Sequence, residues 1–187
     1  MGFFIEVALG GLMAGVLYSL VALGFVLIFK ASGVFNFAQG AMVLFAALAM
    51  ARLSEWIPPL LGIESLLLGN LIAFALALLI MIVLAVVIER LVLRPLVNQP
   101  EVTLLMATLG ITFFLDGLGQ TIWGSDIYKI DLGISKDPLF ILESVFEGGV
   151  LLNRDDIVAA VMAMLLVGLL ALFFQKTSTG RALRAVA

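Results

Sequence analysis

Charge is confined to a few positions along this chain, and the gaps between those positions decide its class. Twenty-three uncharged residues separate Glu6 from Lys30, and twenty-one separate Lys30 from Arg52. Twenty-four lie between Glu64 and Glu89, and nineteen between Asp156 and Lys176. The stretch from Glu101 to Asp126 is interrupted only by Asp116. A helix crossing the hydrocarbon core of a bilayer needs about 20 mostly apolar residues. An unpaired backbone amide there costs several kcal/mol, so such runs must be helical. Five runs of this length cannot all be buried in a soluble domain of 187 residues. The sequence therefore predicts an all-α integral membrane protein, a polytopic bundle of about five transmembrane helices.

Composition agrees and closes off several function classes. Apolar residues make up 64% of the chain and charged residues 12%, against roughly 45–50% and about 25% in soluble domains. There is no cysteine and no histidine. That excludes disulfides, thiolate nucleophiles, His acid–base catalysis and most transition-metal sites. No Walker A sequence, catalytic triad or dinucleotide loop occurs, so an enzyme has no positive support. No basic tract points to nucleic acid. The N-terminus lacks the positive region of a signal peptide, so the first run is expected to remain as a membrane helix.

Spans are expected near 4–29, 34–51, 67–88, 102–123 and 157–175. With the N-terminus outside and the C-terminus inside, six basic residues face the cytoplasm and four face outward, the sense of the positive-inside rule. Residues 30–33 read as a tight turn joining the first two spans into a hairpin. Residues 52–66 hold an interfacial Trp56 and a helix stop at Pro58 and Pro59. Residues 89–101 read as a short basic loop. Residues 124–156 form the longest polar segment, an outer loop. Its partial alternation over 127–132 and the turn signal Glu147-Gly148-Gly149 predict a small outer-face hairpin or cap.

Chemistry-bearing residues are few. Asn36 and Gln39, three apart, share one face if helical. They either line an internal path or bond a neighbouring helix or the headgroup region. Gly11 and Gly15 form a small-xxx-small pattern that suits close helix packing. Tyr18 and Ser19 lie mid-span and can face a cavity, although serine often bonds its own helix. Asp116 is expected near the outer interface, at a pathway mouth rather than at the midplane a proton relay needs. Residues 177–187 read as a short amphipathic helix with Arg181 and Arg184 on one side, lying on the membrane or against a soluble partner.

Several segments then carry a resemblance. Gly15-Val16-Leu17-Tyr18-Ser19-Leu20-Val21-Ala22-Leu23-Gly24, running into Val34-Phe35-Asn36-Phe37-Ala38-Gln39-Gly40, resembles the opening of the branched-chain amino acid ABC transporter permeases. That family pairs a Tyr-Ser/Ala-Leu-x-Ala-Leu-Gly helix with an Asn-Phe-Ala-His/Gln-Gly segment. Ala107-Thr108-Leu109-Gly110-Ile111 with Ile122-Trp123-Gly124 is similar to the family's fourth-helix region. Thr177 to Val186 resembles the start of its cytoplasmic coupling loop.

The resemblance implies a translocating subunit of a bacterial inner-membrane importer, one permease domain over 1–187. It implies as partners a second, related or identical permease, two cytoplasmic ATPases and a periplasmic binding protein. ATP would be used by the ATPases, and this chain would need no cofactor. Asn36, Gln39, Tyr18, Ser19 and Thr108 become pathway candidates, and Gly180, Arg181 and Arg184 become coupling residues. The implied substrate is leucine, isoleucine or valine, with urea, short amides or other amino acids as alternatives. Gln39 stands where the family often has His, which removes a titratable group there. Family permeases continue beyond the loop motif in which this chain ends, so the N-terminal part of a permease is expected. Residues alone also leave open a secondary carrier or channel, or a scaffold assembled through Gly11 and Gly15.

Overall fold

The computed structural model describes residues 2–32, 35–96, 98–126, 128–130, 133, 139–141 and 150–177. Five helices in it are long and apolar enough to cross a membrane. They are α1 (Gly2–Ser32), α2 (Gln39–Leu61), α3 (Leu66–Ile88), α4 (Glu101–Trp123) and α5 (Arg154–Lys176). The chain divides into two compact units, Met1–Gly33 with Ile134–Ala187, and Val34–Gly133.

In the first unit α1 packs along α5. Charges sit where helix dipoles favour them: Asp155 and Asp156 in the first turn of α5, Lys176 in its last, and Lys30 in the last turn of α1. α1 stays helical through Ser32, so residues 30–32 are not the expected turn. Nothing in Lys30-Ala31-Ser32 breaks a helix, and Gly33 and Val34 lie outside the described residues. β1 (Leu139–Ile141) pairs antiparallel with β2 (Val150–Leu152), Leu139 opposite Leu152. β2 rests against α1. A hairpin therefore does lie in the long polar segment, but later than the alternation over 127–132 suggested. Residues 128–130 form no strand. Positions 127, 131, 132 and the turn signal at 147–149 fall outside the described residues.

The second unit places α2 against both α3 and α4. Each contributes a stripe at helical spacing: Ala41, Phe45 and Ala49 on α2, Gly69, Ala73 and Ala77 on α3, and Ile111, Leu115, Gly119 and Trp123 on α4. Lipid tails are as apolar as Leu, so burial from water does not drive helices together within hydrocarbon, and small residues permit the close approach that dispersion rewards. Between the helices the tightest point is Gly69, where a Cβ would stand 2.8 Å from Cγ of Pro58.

Three sequence expectations change here. α2 begins at Gln39, not 34. It also runs through Pro58 and Pro59 to Leu61 instead of stopping. Both prolines fall in its last turn, where they remove the donors to the Ser54 and Glu55 carbonyls but have little helix beyond them to disrupt, and Gly62 at φ 63° closes the helix on the Pro58 carbonyl. Third, the basic segment after Ile88 is not a plain loop. A π-helical turn, Glu89–Leu93, and a 3₁₀ turn, Arg94–Leu96, prolong α3.

Gly69→Val drives two methyl groups toward the Pro58 ring, and overpacking of this kind costs about 1–3 kcal/mol. Gly110→Ala, where a Cβ meets open space, is expected to leave stability unchanged or raise it. Thermal unfolding of the detergent-solubilised protein separates the two. A Gly69→Val melting temperature no lower than that of Gly110→Ala contradicts the close contact.

Candidate functional site

The start of α2 is the first unusual feature. Trp123, the last residue of α4, contacts Phe45 edge-on (ring centroids 6.0 Å) and Trp56 (6.1 Å). Those two residues bracket the middle of α2. The end of α4 is thus level with mid-α2, and α2 is displaced along the bundle. Counted at 1.5 Å per residue, α4 is about 34 Å long, and Asn36 lies roughly 20 Å along the bundle from its C-terminal end. If α4 spans the bilayer, α2 begins deep within it.

Irregular backbone at that depth is tolerated only when buried in protein or lining a wet cavity. Here Asn36 is 8% exposed and Ala38 fully covered, while Phe35 and Phe37 turn outward. Asn36 Oδ1 accepts the Ala38 N–H at 3.1 Å, and the Asn36 carbonyl accepts the Gln39 N–H at 3.3 Å. Asn36 is therefore not on a helix face shared with Gln39. It folds an Asx-type turn that satisfies donors ahead of the helix. Gln39 is the first helical residue and is half-buried.

The remaining sequence candidates scatter. Thr108 is 1% exposed, and its hydroxyl donates to the Leu105 carbonyl at 2.9 Å, so it is a core residue satisfied by its own helix. Ser19 donates to the Val16 carbonyl at 2.7 Å, and Tyr18 is exposed. A Cβ on Gly11 or Gly15 would meet nothing within 4 Å among the described residues, so neither makes a close approach to them. Gly180, Arg181 and Arg184 lie outside the described residues.

Two features escaped sequence reasoning. The first is a cluster around Arg52. Its guanidinium carbon sits 4.9 Å from the Trp56 ring centroid and 4.5 Å from that of Tyr128. Its Nη1 donates to Glu55 Oε2 at 2.9 Å. The Tyr128 hydroxyl donates to the Trp123 carbonyl at 2.7 Å. Glu55 is 61% exposed in its side chain, so the ion pair contributes at most about 1 kcal/mol. Each ring contact contributes about 0.5–2 kcal/mol, and stacking is the stronger hold. Gly124, at φ 88°, is required here, since a Cβ would stand 2.6 Å from the Tyr128 hydroxyl. Beside the cluster is an open cavity of about 280 Å³, with Ser54, Glu55, Asn70, Tyr128 and Lys129 on its wall. The Trp and Arg letters were visible in the sequence, but Tyr128 is brought to Arg52 only by the fold.

The second feature is a groove of about 190 Å³ between α2 and α4, which carries Asp116 and Gln120 on an otherwise apolar wall. Asp116 faces this groove rather than a partner side chain. Among the described residues the structure holds no group of His, Cys, Asp or Glu that could bind a metal.

Five helices long and apolar enough to cross a membrane define a multi-pass membrane protein. Comparison with known sequences narrows this. Residues 7–187 match the model of the family described as "branched-chain amino acid transport system / permease component", and the chain belongs to that family. It is 26% identical over 184 residues to the high-affinity branched-chain amino acid transport system permease protein BraD of Pseudomonas aeruginosa. The match covers 98% of this chain and 59% of that relative, so the chain spans well under two thirds of its length. No solved structure matches it.

Asn36→Leu removes the acceptor for the Ala38 N–H and is expected to lower stability by about 1 kcal/mol, while Asn36→Ser, which keeps an acceptor, loses less. Denaturant titration in detergent distinguishes these, and equal stabilities remove the turn role. Arg52→Lys keeps the charge but not the planar stacking surface. It is expected to cost about 1 kcal/mol and to shift tryptophan emission, because Trp56 and Trp123 are both in the cluster. An unchanged spectrum and midpoint contradict the stacking.

Proposed function

We propose that the chain forms part of the substrate path of an ATP-driven importer for leucine, isoleucine and valine in a bacterial inner membrane. The family match across residues 7–187 carries this reading, and the branched-chain permease of Pseudomonas aeruginosa supports the substrate class. The N-terminus lies outside and the C-terminus inside, as the distribution of basic residues favours.

The partners are a second permease, two cytoplasmic ATPases and a periplasmic binding protein. ATP is consumed by the ATPases, and this chain needs no cofactor. ATPase closure pushes on the segment holding Gly180, Arg181 and Arg184, and the helices rock between outward and inward access. The segment 124–156 offers the binding protein an acidic surface. Asn36 and Gln39 contribute to the path through the turn that starts α2 within the membrane, where discontinuous helices place transporter sites.

The complete permease, reconstituted with ATPases and binding protein, is expected to accumulate leucine in an ATP-dependent manner. Uptake of urea without leucine overturns the substrate assignment. Leucine uptake that persists without ATPases and collapses with the proton gradient overturns the importer.

A further inference from the structure

We propose that the groove between α2 and α4 is a binding subsite for the zwitterionic amino acid, with Asp116 as the partner of its α-ammonium group. The inference rests on the importer reading above and names the place and polarity of contact. In the second unit Glu89 lies in the π-helical turn after α3 and Glu101 begins α4, while Glu55 and Asp116 lie within α2 and α4. Glu55 is paired with Arg52. Asp116, seven residues before the end of α4, makes no hydrogen bond or ion pair with the described residues. Ionisable groups within membrane spans are rare, and they pair with one another or mark a solute pathway. Asp116 has no such pairing here, and it opens onto the groove.

The groove's dimensions and lining specify the solute. At about 190 Å³ it is smaller than the roughly 300–1,000 Å³ of drug-sized sites. It equals about six waters at ~30 Å³ each, the scale of a single amino acid. Gln120 follows Asp116 by one helical turn, so the two side chains share a face. Leu44, Phe45 and Leu48 of α2 complete the wall. A carboxylate accepts from an ammonium group, and an amide N–H₂ donates to a carboxylate. The aliphatic and aromatic wall suits a branched side chain. A neutral amide such as urea uses neither the charge of Asp116 nor the apolar wall.

The natural chain has no cysteine, so Leu48→Cys installs a single reporter on the groove wall. Maleimide labelling of this chain is followed by mass spectrometry in the complete reconstituted complex. Phe113→Cys, at a position 74% exposed, serves as the control. Leucine and isoamylamine, which lacks the carboxylate, are expected to slow labelling at residue 48 at least tenfold. 4-Methylpentanoate, which lacks the ammonium group, leaves it unchanged, and none of the three affects residue 113. Adding Asp116→Asn abolishes protection, and Asp116→Glu restores it. Equal protection by amine and acid, or protection that survives Asp116→Asn, overturns the ammonium contact. Absence of protection by leucine and amine overturns the site. The comparison of amine with acid needs no change at Asp116, so it stands even if that variant misfolds. A complex that imports no leucine sinks the importer reading, while the amine still tests the groove separately.

Discussion

Hydrocarbon offers backbone amides no water, and this constraint governs the second unit of the protein. A helix that begins within a bilayer exposes its first N–H groups where each unpaired donor costs several kcal/mol. Asn36 answers that at the start of α2, giving its side-chain oxygen to Ala38 and its carbonyl to Gln39. With those donors satisfied, α2 can be displaced along α4. The displacement brings Trp123 between Phe45 and Trp56, carries Arg52 to Tyr128, and sets the groove beside the first turns of α2.

Packing in this unit follows from the same solvent. Ala41, Ala49, Gly69, Ala73, Ala77 and Gly119 are small residues at contact positions, with bulky side chains turned away, such as Leu71, Phe74 and Phe114. In water such a distribution would leave a weak core. In lipid the outward side chains are solvated as well as they would be inside, and what counts is how closely the backbones approach. Pro58 seated over Gly69 is the extreme case. Phe45, Ile111 and Leu115 add larger buried contacts within the bundle, and at its end Arg52, Trp56, Trp123 and Tyr128 combine charge with aromatic faces. Such amphipathic rings suit a membrane–water boundary.

The spacing of charges was enough to count the helices, and α3, α4 and α5 begin and end within a few residues of positions read from it. Four details needed the fold. The start of α2 was hidden because Asn36 and Gln39 three apart fit a helix face as well as a turn, and the turn wins by satisfying donors. Pro58 and Pro59 marked a stop too early, since the helix carries both prolines in its last turn and ends only at the Gly62 cap. Tyr128 reaches Arg52 across 76 positions of sequence, and no local pattern encodes that pairing. The hairpin pairs Leu139 with Leu152, each in a strand of three residues, too short for alternation to register. Among the candidate site residues, Asn36 was legible as a special position, but its task was not. Thr108 and Ser19 were legible only as polar, and both bond to their own helix.

Three polar features follow one another along the α2–α4 face, and they differ in what they leave unsatisfied. At the start of α2 Asn36 is closed, its oxygens spent on the backbone. Further along α2, Arg52 has two aromatic faces and a carboxylate that match its charge, although its Nε has no partner among the described residues. Between them Asp116 and Gln120 share one helical face over an apolar hollow, and the described chain supplies no counter-charge. Packing cannot remove that deficit, because Leu44, Phe45 and Leu48 offer no donors. A solute carrying its own cation resolves it, and one that also carries an aliphatic group gains from the rest of the wall.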